Sequence, residues 1–293
     1  MTISILLSPE DFDEDKYLCA NEDVARAVGE RKFQSGWMHA LTYGYRENRP
    51  GISDKTKSRI EALWQEIQGD HQERVPPTNL IKRVHGQGDT AGFYIVGATA
   101  ANDIDEILIH VGRSGKDIAN VLDFGCGCGR VLVHLKKSNP AWNLYATDID
   151  AEAIRWCQDH IGQLALFATN DPDPPISYPD NYFDLIYSIS IFTHLPEQMQ
   201  NNWLSELNRI VKPDGILILT TLDIGLRQAG DAKGGFAYDS TVPTEGLPDF
   251  YQLTHHSHDY IMKHWSRYLE ISEILRARIN RHQDAVICRK KVN

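Results

Sequence analysis

Hydrophobic residues follow two different patterns along this chain. Over residues 8–50, apolar positions recur at helical spacing between short breakers, and residues 55–68 form a further amphipathic helical pattern. From about residue 100 onward, short apolar runs alternate with amphipathic segments, which is typical of an α/β sheet. We therefore predict a small helical module over 1–50, a linker helix and strap over 51–99, and an α/β domain over 100–293.

The alternation in the second half predicts a doubly wound, seven-stranded sheet. The expected strands cover 119–124, 143–147, 165–168, 183–188 and 215–222, and an antiparallel C-terminal hairpin covers 268–277 and 284–290. The expected helices cover 100–113, 130–137, 151–160, 197–211 and 258–265. Ligands of such sheets bind where the carboxyl ends of the strands meet, so the functional residues should lie at that edge.

One junction between a strand and a helix carries the clearest chemical signal. The run Val121-Leu-Asp-Phe-Gly-Cys-Gly-Cys-Gly-Arg130 ends a buried strand with glycines at alternate positions. Glycine allows positive φ angles and a close approach of the backbone to a ligand, and the next helix directs its amide groups toward the same place. A dinucleotide fingerprint needs the spacing G-x-G-x-x-G, so this turn favours a different nucleotide-like ligand.

A second strand ends in an acid, in the run Leu144-Tyr-Ala-Thr-Asp148. A carboxylate at this position can accept hydrogen bonds from both hydroxyl groups of a ribose. The alternative is that Asp148 is only the N-cap of the following helix, although Asp150 could serve equally well as that cap.

These motifs resemble those of the class I S-adenosylmethionine (SAM) dependent methyltransferases. The first motif of that family has the form D-x-G-x-G-x-G, here Asp123 to Gly129, and the second strand of the family ends in such an acid. A strand over 183–188 and a Lys-Pro-x-Gly turn at 212–215 follow in the order of the family, so the resemblance covers roughly residues 100–293. It implies a Rossmann-like fold, SAM as the cofactor and methyl transfer as the activity.

The resemblance also implies which residues bind the cofactor. They are Asp123, Gly125, Cys126, Gly127, Gly129, Asp148, Ile149, Asn170 and Ser188. The segment ahead of the first strand commonly covers the cofactor in this family, and here it is a glycine-rich strap, so Phe93 or Tyr94 is expected to pack on SAM. The alternative is that both rings only pack the linker against the domain.

The residues after the fourth strand are candidates for contact with the methyl acceptor. His194 is predicted to be a general base, because it follows that strand and imidazole titrates near neutrality. The alternative is that Thr193 or His194 caps the helix that begins near Pro196. Thr193, Tyr238 and Asp239 are predicted to contact substrate, the alternative for the last two being that they only order a loop.

No metal site is predicted. Cys126 and Cys128 are too close together and too enclosed by glycines for zinc, so we interpret them as small turn residues. The run His255-His-Ser-His-Asp259 could ligate a metal, but a polar loop with an N-cap before the last helix explains the same residues more simply.

Composition narrows the choice of acceptor and compartment. A net charge of −10 disfavours a nucleic-acid surface, so a small metabolite or a glycan is the favoured partner. The five cysteines form no paired framework, which favours a reducing, cytoplasmic compartment. There is no apolar run near 18 residues and no signal-peptide pattern, so no membrane is expected.

The N-terminal module resembles a short helical module found in bacterial glycan-synthesis and surface proteins. The match rests on Tyr17, Asp23, Val24, Phe33, His39, Gly44 and Glu47. Within this module, Tyr17, Val24, Val28, Phe33, Trp37 and Leu41 are predicted to form a miniature core.

Three functions are considered for a chain with these motifs. The favoured one is a SAM-dependent methyltransferase that acts on an oxygen or nitrogen atom of a small metabolite or glycan. The alternative is a non-catalytic SAM-binding or scaffold module tied to the N-terminal helices. A dehydrogenase is disfavoured by the glycine spacing. The sequence gives no signal for the oligomeric state.

Overall fold

The computed structural model describes residues 11–29, 33, 35–71, 74–86, 88–227, 232, 234–239 and 246–291. Six α-helices precede the sheet in this part of the chain. They are α1 (Glu14–Ala20), α2 (Glu22–Gly29), α3 (Gly36–His39), α4 (Asp54–His71), α5 (Thr78–His85) and α6 (Thr90–His110), and α3 continues into a π-helical turn over Ala40–Gly44.

The N-terminal helices do not form a separate miniature core. Tyr17, Val24, Trp37 and Leu41 are buried, as the pattern predicts, but they belong to one apolar cluster that continues into α6 and the first strands of the sheet. Inside this cluster the Tyr17 hydroxyl lies 2.9 Å from Nδ1 of His39, so the buried polar atoms of both side chains are paired. The module is therefore packed as part of the larger domain.

The glycine-rich stretch before the sheet is helical, so the prediction of a flexible strap was wrong. Helix α5 ends at Gly86, which has a φ of +77°, and Asp89 caps α6 by accepting from the amides of Ala91 and Gly92. At Gly97 a Cβ atom would collide with the backbone of Arg130. That glycine is needed for close packing of α6 on the glycine turn, and α6 runs across the domain boundary predicted near residue 100.

The sheet is the predicted seven-stranded one. Its strands are β1 (Asn120–Phe124), β2 (Asn143–Asp148), β3 (Leu166–Thr169), β4 (Phe183–Ser188), β5 (Val211–Thr221), β8 (Leu269–Ile279) and β9 (Gln283–Lys290). Their order is β3-β2-β1-β4-β5-β9-β8, with β1 to β5 parallel and the hairpin β8–β9 antiparallel, which confirms the Rossmann-like architecture. The helices of this half are α7 (Leu132–Ser138), α8 (Ala151–Ile161), α9 (Glu197–Ile210) and α10 (His258–His264).

A small antiparallel ribbon, β6 (Phe236–Asp239) with β7 (Leu253–His256), was not predicted. The sequence pattern assigned both segments to loops, because each strand has only four residues and carries polar side chains. Successive strands are added toward one edge of the sheet up to β3 and toward the other edge from β4 onward. The switch point between β1 and β4 is where a ligand is expected. Among the described residues, no helix is both long enough and apolar enough to cross a bilayer.

Candidate cofactor and acceptor site

A cavity opens at the carboxyl ends of β1, β2 and β4. Seven of the predicted cofactor residues line it together: Asp123, Gly125, Cys126, Gly127, Asp148, Ile149 and Asn170. They come from three strand ends that are far apart in the sequence. The parallel register of the strands brings them to one edge.

The glycine turn is tightly constrained by its neighbours. The amides of Gly125 and Cys126 both donate to the carbonyl oxygen of Thr147, at 2.8 and 3.0 Å, which fixes the turn to the end of β2. Gly125 and Gly127 have φ angles of +85° and +53°, a region that favours glycine. A Cβ atom at Gly127 would also lie 2.5 Å from the side chain of Val84 in α5.

Asp148 is held by backbone amides rather than by a salt bridge. One carboxylate oxygen accepts from the amide of Gly127 at 2.7 Å, and the other accepts from the amide of Asp150 at 2.8 Å. Burial raises the pKa of Asp148 to about 6, although both amide hydrogen bonds oppose that shift. The cap of α8 is Asp150, which accepts from the amides of Glu152 and Ala153, so the structure does not use Asp148 as the N-cap.

Asp123 lies deeper in the same cavity. Its Oδ2 accepts a hydrogen bond from the hydroxyl of Tyr187 at 2.8 Å. Burial raises its pKa to about 7, and the nearby carboxylate of Asp148 raises it further against the effect of that hydrogen bond. Two buried carboxyl groups in one cavity are costly to ionise, and the charge of Arg130 offsets only part of that cost for Asp123.

Arg130 directly follows the last glycine of the turn. Its side chain is buried, lines the cavity, and forms no hydrogen bond or ion pair with any described residue; its Nε is among the buried atoms without a partner. Burial lowers the pKa of this guanidinium. An unpaired buried cation is strongly unfavourable, so the site is suited to a ligand that carries a carboxylate.

Residues 121–215 match the family model described as a methyltransferase domain. This part of the chain is a class I SAM-dependent methyltransferase domain. The cofactor of such domains is SAM, and the described residues fit it: the glycine turn permits a close approach, and Arg130 offers an unpaired charge.

Two curated relatives are similar to part of this chain. The chain is 28% identical over 134 residues to the malonyl-[acyl-carrier protein] O-methyltransferase of Hahella chejuensis, covering 45% of this chain and 46% of that protein. It is 32% identical over 101 residues to the 2-methyl-6-phytyl-1,4-hydroquinone methyltransferase of a Synechocystis strain, covering 34% and 30% respectively. The chain thus spans less than half the length of these relatives.

Solved structures include similar chains. The 1,6-didemethyltoxoflavin-N1-methyltransferase of Burkholderia thailandensis, solved with S-adenosylhomocysteine, is 15% identical with a TM-score of 0.47. The match covers 66% of this chain and 79% of that chain.

Helix α5 covers the glycine turn of the methyltransferase domain. Nη1 of Arg83 lies 2.8 Å from Oδ2 of Asp150 and 2.8 Å from Oε2 of Glu152, so α5 is tied to the start of α8. Arg83 and Val84 both line the cavity. Sequence reasoning missed Arg83, because its two partners follow it by more than sixty positions and only the fold brings them together.

Phe93 and Tyr94 do not line the cavity, so the prediction that one of them packs on the cofactor disagrees with the structure. Both are buried in α6, and the Tyr94 hydroxyl donates to the carbonyl oxygen of Arg74 at 3.2 Å. The alternative interpretation, that the rings pack the linker against the domain, describes this arrangement. Helix α5 occupies the covering position instead.

Two further cofactor predictions fall just outside the cavity. Ser188 is completely buried, and its hydroxyl donates to the carbonyl oxygen of Phe124 at 2.9 Å, so Ile189 and Ser190 line the cavity in its place. Gly129 does not line the cavity either; a Cβ atom there would lie 2.7 Å from Ile161, so this glycine allows the turn to pack on α8.

Thr193 and His194 anchor the chain segment that follows β6. Their carbonyl oxygens accept from the amides of Thr254 and Gln252, at 2.7 and 3.0 Å. Neither side chain lines the cavity, and the N-cap of α9 is Pro196, without a side-chain cap. The structure therefore supports neither direct substrate contact by Thr193 nor capping by either side chain.

The ring of His194 supports a residue that does line the cavity. It stacks on Tyr251 with the ring centroids 4.2 Å apart, and its Nδ1 lies 3.1 Å from the carbonyl oxygen of Gln252. Burial lowers the pKa of His194 to about 4, so the imidazole is neutral at physiological pH. Sequence reasoning missed Tyr251, because its closeness to His194 depends on tertiary contacts.

The polar groups of Tyr238 and Asp239 are hydrogen-bonded to Phe250 and Arg227. Asp239 pairs with Arg227 through two hydrogen bonds, of 2.9 and 2.5 Å, and the Tyr238 hydroxyl donates to the carbonyl oxygen of Phe250 at 2.8 Å. Neither side chain lines the cavity. The prediction that they contact substrate is not supported, and the alternative of a loop-ordering role describes them.

The histidine run near α10 does not converge on one point. His255 and His256 lie in β7, and Ser257 caps α10 by accepting from the amide of Tyr260. His256 Nε2 lies 2.9 Å from Oε1 of Gln200. His258 instead turns toward Asp284, with its Nε2 2.6 Å from Oδ2 of that carboxylate.

Proposed function

We propose that this protein is an enzyme that transfers a methyl group from SAM to an acceptor bound in the same cavity. The observation that carries the proposal is the unpaired, buried Arg130 beside the glycine turn and two buried carboxyl groups. These groups are complementary to the carboxylate, the ammonium group and the ribose hydroxyls of SAM.

Each end of the cofactor is assigned to residues of the cavity. Arg130 pairs with the methionine carboxylate, and Asp123 faces the ammonium group. Asp148 accepts from the ribose hydroxyls with the lone pairs that the backbone amides leave free. Ile149 and Asn170, which follow β2 and β3, contact the adenine ring.

SAM supplies a methyl group bound to a positively charged sulfur. The chain aligns an acceptor with that carbon and excludes water. Such alignment lowers the activation free energy by several kcal/mol, of the order of 7 to 11 in favourable cases. Arg83 and Val84 of α5 cover one side of the cavity, and Tyr251 closes another. A general-base role for His194 stays a proposal. The side chain does not line the cavity, and its ring stacks on Tyr251, so a role in positioning Tyr251 is better supported.

The acceptor atom is proposed to be an oxygen or nitrogen of a small metabolite or glycan. The two relatives described above act, by name, on an acyl-carrier-protein-bound malonyl group and on a hydroquinone, so the domain accommodates different acceptors. A net charge of −10 supports a partner other than nucleic acid. A cytoplasmic setting remains part of the same proposal.

The first test is calorimetric titration of the protein with SAM, S-adenosylhomocysteine and NAD in parallel. We expect binding of SAM and S-adenosylhomocysteine in the micromolar range and no heat from NAD. Stronger binding of NAD would contradict the proposal. If SAM binds but isotopically labelled methyl is never transferred to any acceptor, the chain is a SAM-binding module without turnover.

A further inference from the structure

The two halves of the cavity differ sharply in charge. The half contributed before β4 contains several charged side chains, among them Asp123, Arg130 and Asp148. The half contributed after β4 contains no charged side chain among the described lining residues. Four of these residues, Ile191, Leu247, Phe250 and Tyr251, are called the acceptor wall here.

Two polar groups of the acceptor wall are hydrogen-bonded within the protein. The Tyr251 hydroxyl donates to the carbonyl oxygen of Ser190 at 3.1 Å, and the carbonyl oxygen of Phe250 accepts from Tyr238. The ring of Tyr251 is stacked on His194. The wall therefore presents aliphatic and aromatic surface with few donors or acceptors for a ligand.

We infer that the acceptor is a small aromatic molecule whose hydroxyl group is attached to the ring, rather than a glycan. The inference rests on the proposed methyl transfer and specifies its substrate. Each sugar hydroxyl buried against this wall without a partner would cost about 1–3 kcal/mol, whereas an aromatic ring gains from burial against Leu247 and Phe250.

The types of residue that line the cavity after β4 also favour a phenol over a sugar as the acceptor. No described lining residue after β4 is a carboxylate, a histidine or a lysine that could take a proton from the acceptor. A phenol, with a pKa near 10, loses its proton to water far more readily than an aliphatic sugar hydroxyl does. The phenolate oxygen then gives an electron pair to the methyl carbon, and the carbon–sulfur bond breaks with its pair remaining on sulfur. The products are an aryl methyl ether and S-adenosylhomocysteine.

The test uses 2-naphthol and methyl glucoside as probes, each titrated into the 293-residue chain saturated with S-adenosylhomocysteine. We expect 2-naphthol to bind and methyl glucoside to give no heat. Leu247→Asp places a charge on the acceptor wall and should weaken naphthol binding about tenfold or more. Ile109→Asp makes the same change at a side chain that is 73% exposed, and it should leave naphthol binding unchanged.

Phe250→Ala gives a second, milder variant in case Leu247→Asp does not fold, and it should also weaken naphthol binding. Binding of S-adenosylhomocysteine is measured first for every protein. If the wild type does not bind it, the proposed function fails and the acceptor inference fails with it. If the wild type binds it but prefers methyl glucoside, or if neither wall variant affects naphthol, only the acceptor inference is overturned.

Discussion

The glycine-turn side of the cavity and the acceptor wall lie at the same sheet edge but differ in charge and in hydrogen bonding. On the first side, two carboxyl groups and a guanidinium are buried with few side-chain partners, which is costly for the protein alone. On the second, aromatic and aliphatic side chains are already packed and hydrogen-bonded. The difference indicates that the first side is complementary to a ligand with fixed charges, and the second to a ligand without them.

The largest expected effect is at Arg130, because this buried cation pairs with no side chain in the described part of the chain. Arg130→Met should weaken SAM binding by about 3 kcal/mol, or roughly 150-fold, since a buried charge pair with the cofactor is lost. The same variant should unfold at an equal or higher temperature without ligand, because the buried charge is gone.

Calorimetry measures the SAM affinity of Arg130→Met, and thermal unfolding measures its stability without ligand. Arg155→Met, at an exposed arginine of α8, is the matched control and should change neither value. Unchanged SAM affinity in Arg130→Met would remove the assignment of the cofactor carboxylate to this residue.

The next effect concerns Asp148. Asp148→Asn keeps the size of the side chain but loses the charged acceptor for the ribose hydroxyls, so SAM binding should weaken by about 2 kcal/mol, or roughly 30-fold. Titration of this variant beside Asp159→Asn, an exposed aspartate of α8, gives the comparison. If the two variants bind SAM equally well, the assignment of Asp148 to the ribose hydroxyls is wrong.

Asp123 should make cofactor binding depend on pH. Its folded-state pKa of about 7 lies above the ordinary value of 3.8, so the folded chain keeps a proton that the unfolded chain loses. This group therefore lowers the stability of the unliganded protein as pH rises from about 4 to 7. SAM affinity should rise over pH 5 to 7, by up to about tenfold per pH unit, because the ammonium group of SAM favours the ionised carboxylate.

Asp123→Asn is the variant that tests this pH dependence. It should reduce the rise in SAM affinity that is measured calorimetrically across the range, leaving only the part that comes from Asp148, whose pKa is about 6. A wild-type affinity that is constant between pH 5 and 7 would show that Asp123 does not titrate in the site.

The smallest effect on cofactor affinity is expected at His194. His194→Ala should change SAM binding by less than about twofold, since the ring does not line the cavity, but it should impair turnover with 2-naphthol because Tyr251 loses its stacking partner. His194→Phe retains a ring and should restore most of the turnover. Failure of that rescue, together with a changed pH profile, would instead favour the general-base role.

The success of sequence reasoning followed the locality of each signal. The glycine turn and Asp148 lie in the cavity where the sequence placed them, because their positions depend on backbone geometry within a few residues of a strand end. Phe93, Tyr94, Tyr238 and Asp239 were misassigned because their positions depend on what packs against them. Tyr94 faces the backbone of Arg74, and Asp239 faces Arg227, and neither contact has a sequence pattern.

The sequence by itself determined the order of the seven sheet strands and of the helices between them, the glycine turn and the acid at the end of β2, because hydrophobic period and glycine spacing act locally along the chain. Tertiary structure alone decided that α5 covers the turn, that Arg130 is buried with no partner among the described residues, and that Tyr251 stacks on His194. Those properties come from segments dozens of residues apart that meet only when the sheet brings its strand ends together.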